Sequence, residues 1–165
     1  MKNLFIQKNQ GFTIIETLVA VAILMISIAG PLTIAHKGLL TAIQTKDQVT
    51  ASYLAQDAME YVKNKRDNNL ISGIGWLSGF NTCLSNSYCS VDTISGSITG
   101  SNCSGNCRLY KDNNGYDHSS SNTPTPFFRY FYIIPKGGSE ATLVVEVSWN
   151  SGTIQNLVSY KSEIF

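Results

Sequence analysis

Nineteen consecutive residues, 17–35, carry no charged side chain, and that stretch constrains this chain more than any other feature. With the residues just before it, the run reads FTIIETLVAVAILMISIAGPLTIA over 12–35. As a helix rising 1.5 Å per residue it is about 36 Å long, enough to cross a hydrocarbon core of roughly 30 Å. Lys2 and Lys8 precede it and His36 and Lys37 follow it, so the positive-inside bias holds weakly for a cytoplasmic N-terminus. A cleaved secretory signal would want a shorter apolar stretch and an A-x-A-like site after it, and neither fits here. A plain membrane anchor accounts for the length but leaves Glu16 unexplained.

A carboxylate in a bilayer core costs roughly 2.5–3.5 kcal/mol on insertion scales, less near the end of a segment. Nothing basic within the segment can neutralise Glu16. A cut between Gly11 and Phe12 would supply a partner, because the new α-amino group of Phe12 is a cation at the head of an apolar helix. Glu16 lies four residues on, about one helical turn. Among parallel helices with an axial stagger, the amine of one subunit can meet Glu16 of a neighbour. That pairing offsets the desolvation of both charges and sets the stagger.

The string Gly11-Phe12-Thr13-Ile14-Ile15-Glu16, after a short basic leader and before an unbroken apolar run, resembles the cleavage and methylation signature of type IV pilins and type II secretion pseudopilins. The resemblance covers residues 8–36. It implies cleavage after Gly11 by a membrane aspartyl prepilin peptidase, N-methylation of Phe12, and an assembly role for Glu16. It also implies an α+β fold, with a long N-terminal helix, transmembrane in its first half, laid on a C-terminal antiparallel β-sheet. The organisation expected is a leader at 1–11, a transmembrane and assembly helix at 12–36, its amphipathic continuation at 37–69, and a globular head at 70–165. The implied partners are other pilin subunits, the peptidase and methyltransferase, the assembly platform and the inner membrane, crossed once before delivery to a periplasmic or extracellular filament. No cofactor is implied.

Pilins often carry a proline deep in this helix, and here it is Pro31, after Gly30. The pair removes a backbone hydrogen bond and weakens the helix locally. A segment that stretches inside a filament and a tolerated membrane-helix kink are both consistent with it.

Over 37–68 the apolar residues Leu40, Ile43, Ala51, Leu54, Ala55, Ala58, Tyr61 and Val62 fall on one helical stripe, with Lys46, Asp57, Glu60, Lys63 and Asp67 off it. Asn68-Asn69 is read as the helix end. Residues 70–126 are rich in glycine, with a loosely alternating hairpin candidate at 91–101, a turn at Asp112-Asn113-Asn114-Gly115, and extended punctuation at Thr123-Pro124-Thr125-Pro126. The last forty residues read as an antiparallel meander of three strands, 127–134, 141–149 and 153–164. Leu143, Val145, Val147 and Trp149 share one face of the middle strand.

Cys83, Cys89, Cys103 and Cys107 are an even number in a Ser/Asn/Gly-rich region beyond a membrane segment, which points to an oxidising compartment. Their spacing suits two local loops, and three pairings are compatible with the sequence. The gaps of five and three residues fit zinc knuckles poorly, so no metal site is expected.

Nothing catalytic is expected either. The two histidines are His36 at the membrane edge and His118 in a Ser/Asn loop, read as a solvated residue, and no HExxH, nucleophile elbow or P-loop occurs. Alternating core and surface aromatics account for 127–132 around Arg129 better than base stacking does. The net charge of +1 gives no basic field for nucleic acid. Losing Lys2 and Lys8 would leave ten basic against eleven acidic side chains. The leading function is therefore a pilin or minor pilin. The alternatives are a secretion pseudopilin, or a minor pilin whose distal loops bind DNA, a secreted substrate or a surface.

Overall fold

A computed structural model describes residues 11–85, 87–100 and 107–165. They form one α-helix, seven strands and a 3₁₀ turn. Helix α1 spans Ile14–Ile71, 58 residues. Sequence reading began it at 12 and ended it at 69, and local hydrogen bonding places both ends. Thr13 caps the N-terminus: its carbonyl accepts from the amides of Glu16 (3.1 Å) and Thr17 (3.2 Å), and its Oγ1 also accepts from the Glu16 amide (3.3 Å). At the other end Gly73 takes a left-handed φ of 68°. Its amide donates to Leu70 O, and the next amide, Ile74, donates to Asn69 O. These two bonds make a Schellman stop, for which glycine is the least strained residue.

The chain divides into two compact units, Met1–Ile43 and Gln44–Phe165. In the first, every described residue is exposed and helical from Ile14 on. In the second, the sheet is built around β5, Thr123–Gly137. One edge of β5 pairs antiparallel with β6 (Glu140–Ser151), and β6 pairs with β7 (Ile154–Ile164). The opposite edge is shared. There β3 (Arg108–Lys111) covers the first part of β5 through Arg108↔Phe128, and β1 (Cys89–Asp92) covers a later part through Cys89↔Phe131. The hairpin partners β2 (Ser97–Gly100) and β4 (Tyr116–Asp117) flank β1 and β3. The architecture is α+β, a long apolar N-terminal helix packed on a curled antiparallel sheet, as in type IV pilins.

The expected meander is present, with longer strands. Thr123-Pro124-Thr125-Pro126 is the start of β5 rather than punctuation before it. Pro124 pairs with Tyr110 and Thr123 with Lys111, and Thr125 Oγ1 donates to Leu109 O at 2.6 Å. A proline lacks only its own N–H, so it is tolerated at the end of a strand.

The core lies between α1 and the sheet within the second unit. Ala51, Leu54, Ala55, Ala58 and Val62 meet Phe131, Ile133, Leu143, Val145, Val147 and Trp149. Three alanines on the helix stripe let backbone and sheet approach closely, and the large side chains come from the strands. The stripe is shorter than its sequence period. Leu40 and Ile43 are each 49% exposed, so burial starts at Ala51. Periodicity identifies a face but not the point at which a sheet begins to cover it.

Candidate functional site

The first candidate is the helix start. Gly11, Phe12 and Thr13 lie outside the helix and are exposed. Phe12 is 78% exposed, and Glu16 follows in the first turn, also exposed. The cap on Thr13 therefore leaves the Gly11–Phe12 peptide in non-helical backbone while Glu16 is already helical. Residues 1–10 of the expected leader lie outside the described residues.

Along the apolar run the other polar side chains satisfy themselves. Thr17 Oγ1 donates to Ile14 O (2.8 Å), Ser27 Oγ to Ile23 O (2.7 Å) and Thr33 Oγ1 to Ala29 O (2.8 Å). Such bonds back to the preceding turn leave no hydroxyl proton to be solvated in a lipid-like environment. A carboxylate has no proton to donate in this way, so Glu16 is the one polar group of the run that needs an outside partner. The helical assignment continues through Gly30 and Pro31. Pro31 has no N–H to give the carbonyl four residues back, that of Ser27. The helix is long and apolar enough to cross a membrane.

The second candidate is a buried polar cluster within the second unit. Arg129 sits on the inward face of β5, in line with Phe127, Phe131 and Ile133, and is fully buried. Its Nη1 donates to Asp57 Oδ2 (2.8 Å) and Leu54 O (3.1 Å), both on α1, and its Nη2 donates to Val91 O of β1 (2.8 Å). One guanidinium thus ties helix, hairpin and central strand together. Its Nε is buried with no hydrogen-bond partner among the described residues. Burial lowers the Arg129 pKa, and the Asp57 and Asp92 carboxylates work against that.

His118 joins this cluster and is not the solvated loop residue that its Ser/Asn surroundings predict. The ring is half-buried, with Nδ1 3.0 Å from Arg108 O and Nε2 3.2 Å from Val91 O. A neutral imidazole can donate to only one of them. Burial, followed by the charge of Arg129, nevertheless lowers the His118 pKa, against the pull of the two carbonyls and Asp92. Asp92 itself is raised by burial but lowered on balance, because Ser95 and Ile94 donate to its carboxylate.

Arg129 and His118 are the residues that sequence reading missed. For Arg129 a signal existed, because strict alternation from Phe127 to Ile133 puts position 129 inside. For His118 none did.

Of the four cysteines, Cys83 and Cys89 are joined, with Cα atoms 5.5 Å apart. The bridge staples the 3₁₀ turn Asn81–Cys83 to the start of β1. Cys107 is also disulfide-bonded. Cys103 lies outside the described residues. Among the described residues no group of His, Cys, Asp or Glu is placed to hold a metal ion.

An apolar helix long enough for a membrane, a carboxylate in its first turn with no partner among the described residues, and a disulfide-bearing α+β domain support a pilin-like precursor. Comparison with known families agrees: residues 6–30 match the family described as the prokaryotic N-terminal methylation motif, the signature of type IV pilins and pseudopilins. That signature supports a structural subunit of the pilin type. Comparisons with curated proteins and with solved structures found no match.

Proposed function

We propose that this chain is a pilin or minor pilin of a type IV pilus or related filament. It is cut between Gly11 and Phe12 by a prepilin peptidase, methylated on the Phe12 amine, and assembled through its N-terminal helix. Before assembly it crosses the inner membrane once, leader inside, with the second unit on the periplasmic side. Phe12–Ala35 is the segment held in the bilayer and later in the filament interior, and Gly30-Pro31 is its weakest point.

The observation that carries this reading is Glu16. It is an exposed carboxylate in the first turn of an apolar helix whose other polar side chains satisfy themselves. A charge so placed is costly in lipid unless neutralised. A terminal amine at Phe12 of an adjoining subunit is the group that would do so. A type II secretion pseudopilin would use the same helix and the same pair, and would differ in the filament it joins.

The test is intact-mass measurement of the protein recovered from sheared filaments or from the membrane. The expected product begins at methylated Phe12 and lacks the eleven-residue leader. Filament-associated protein that still begins at Met1 would end this reading.

A further inference from the structure

Asn114-Gly115 is the only Asn-Gly step in the chain. Asparagine is among the thermolabile side chains, and a following glycine removes the Cβ that would shield the next amide. The step forms the turn between β3 and β4, and Gly115 takes a φ of 141° that side-chain-bearing residues rarely adopt. Asn114 is exposed to water.

One carboxylate holds both nitrogens that imide formation would use, the attacking and the leaving one. Asp112 Oδ1 accepts from the Gly115 amide at 3.0 Å and from the Asn114 amide at 2.7 Å. Asp112 Oδ2 accepts from the Asn114 side-chain amide, Nδ2, at 3.2 Å. The Asp112 amide donates to Gly115 O at 3.1 Å and closes the turn from the other side.

We propose that Asn114 is a latent deamidation site and that Asp112 keeps it silent in the folded protein. In the reaction the Gly115 backbone nitrogen loses its proton to solvent and attacks Asn114 Cγ. The new N–Cγ bond closes a five-membered imide, the Cγ–Nδ2 bond breaks, and Nδ2 leaves as ammonia. Water then opens the imide at either carbonyl, giving aspartate or isoaspartate, with no change of oxidation state. Asp112 opposes the first step twice. Its negative charge lies against the N–H that must ionise, and it clamps the amide that must turn toward that nitrogen.

The product would undo its own restraint. A carboxylate at position 114 has no N–H for Asp112 Oδ2 and repels it at close range. The turn forms one wall of a cavity of about 570 Å³, lined also by Tyr53, Asp57 and Ile94.

The test uses the full chain in detergent micelles, incubated warm at mildly alkaline pH. Peptide mass spectrometry follows the unit mass gain at Asn114. Three samples are compared: folded wild type, folded D112N, and wild type in denaturant. D112N keeps an acceptor oxygen but removes the charge. The expected order is slow for folded wild type, severalfold faster for D112N, and fastest in denaturant. Should D112N fail to fold, the first and third samples still decide. Equal rates in folded and denatured wild type, or a folded D112N no faster than folded wild type, would overturn the proposal.

Discussion

Arg129 Nη1 lies 2.8 Å from Asp57 Oδ2, joining a fully buried guanidinium on the central strand to a carboxylate on α1 that is about half exposed. The asymmetry matters. Asp57 keeps water on one side and gives up little solvation. Arg129 gives up all of its own and recovers part of it from three oxygens, its Nε staying without a partner among the described residues. Removing Arg129 leaves the Leu54 and Val91 carbonyls short of a donor and opens a void, so Arg129→Ala is expected to destabilise the fold by about 3–5 kcal/mol. Removing Asp57 strands a cation but leaves the two carbonyl bonds, so Asp57→Ala is expected to cost less, about 1–3 kcal/mol. Denaturant melts of the full chain in micelles measure both. The reverse order would mean that the ion pair, and not the carbonyl bonds, dominates.

Stability should also follow the protonation of His118. Its pKa is lowered on folding, so the folded state binds fewer protons than the unfolded state near pH 6. The contribution is therefore full above the ordinary value of 6.5 and is lost as pH falls through the lower, folded value. A histidine NMR titration should place the His118 midpoint below 6.5. In His118→Gln the loss of stability in that acid window should shrink. A midpoint at or above 6.5 would show that the two carbonyls outweigh burial and Arg129.

Glu16 should matter for assembly and not for insertion. Glu16→Ala removes the one charge of the apolar run, so membrane insertion is expected to be unchanged or slightly better. Filament yield should collapse, because the Phe12 amine of a neighbour would be left buried without a counter-charge. Glu16→Gln separates charge from shape: it should fail as Ala does if charge sets the stagger. Abundant filaments from either variant would refute the pairing. Thr13 supports the same end of the helix. Thr13→Ala is expected to fray the first turn at a cost of about 1 kcal/mol, and Thr13→Ser should restore it, as read by amide exchange of Glu16 and Thr17.

Opening the Cys83–Cys89 bridge should loosen one corner of the second unit. The bridge spans a sequence separation of 6, and a loop that short contributes about 2 kcal/mol by the chain-entropy account. Paired Cys83→Ser and Cys89→Ser substitutions should lower the unfolding free energy by that amount, and with it the denaturation midpoint, while far-UV circular dichroism keeps its shape. An unchanged midpoint would mean that packing of Phe80 and Phe131 against this corner already holds it.

Some of this protein could be read directly from residue order. An uncharged run of 19 residues allows few structures other than a lipid-compatible helix, and a lone acid near its start calls for a specific partner. Alternation through β5 and β6 marked the strands and the inner face of the meander, because a period of two survives in any antiparallel sheet. Both signals are local, written within a turn or two of chain. What covers a face is not local. Leu40 and Ile43 have the same period as Leu54 and Ala58, yet only the latter lie under the sheet. Arg129 becomes a structural tie only because Leu54, Asp57 and Val91, 75, 72 and 38 residues away, converge on it. His118 sits in a polar loop by sequence and between two strand carbonyls in space. The sequence alone determined the apolar helix and the lone charge near its start; the tertiary structure decided which polar groups are buried and what satisfies them, because burial depends on contacts between segments far apart in the chain.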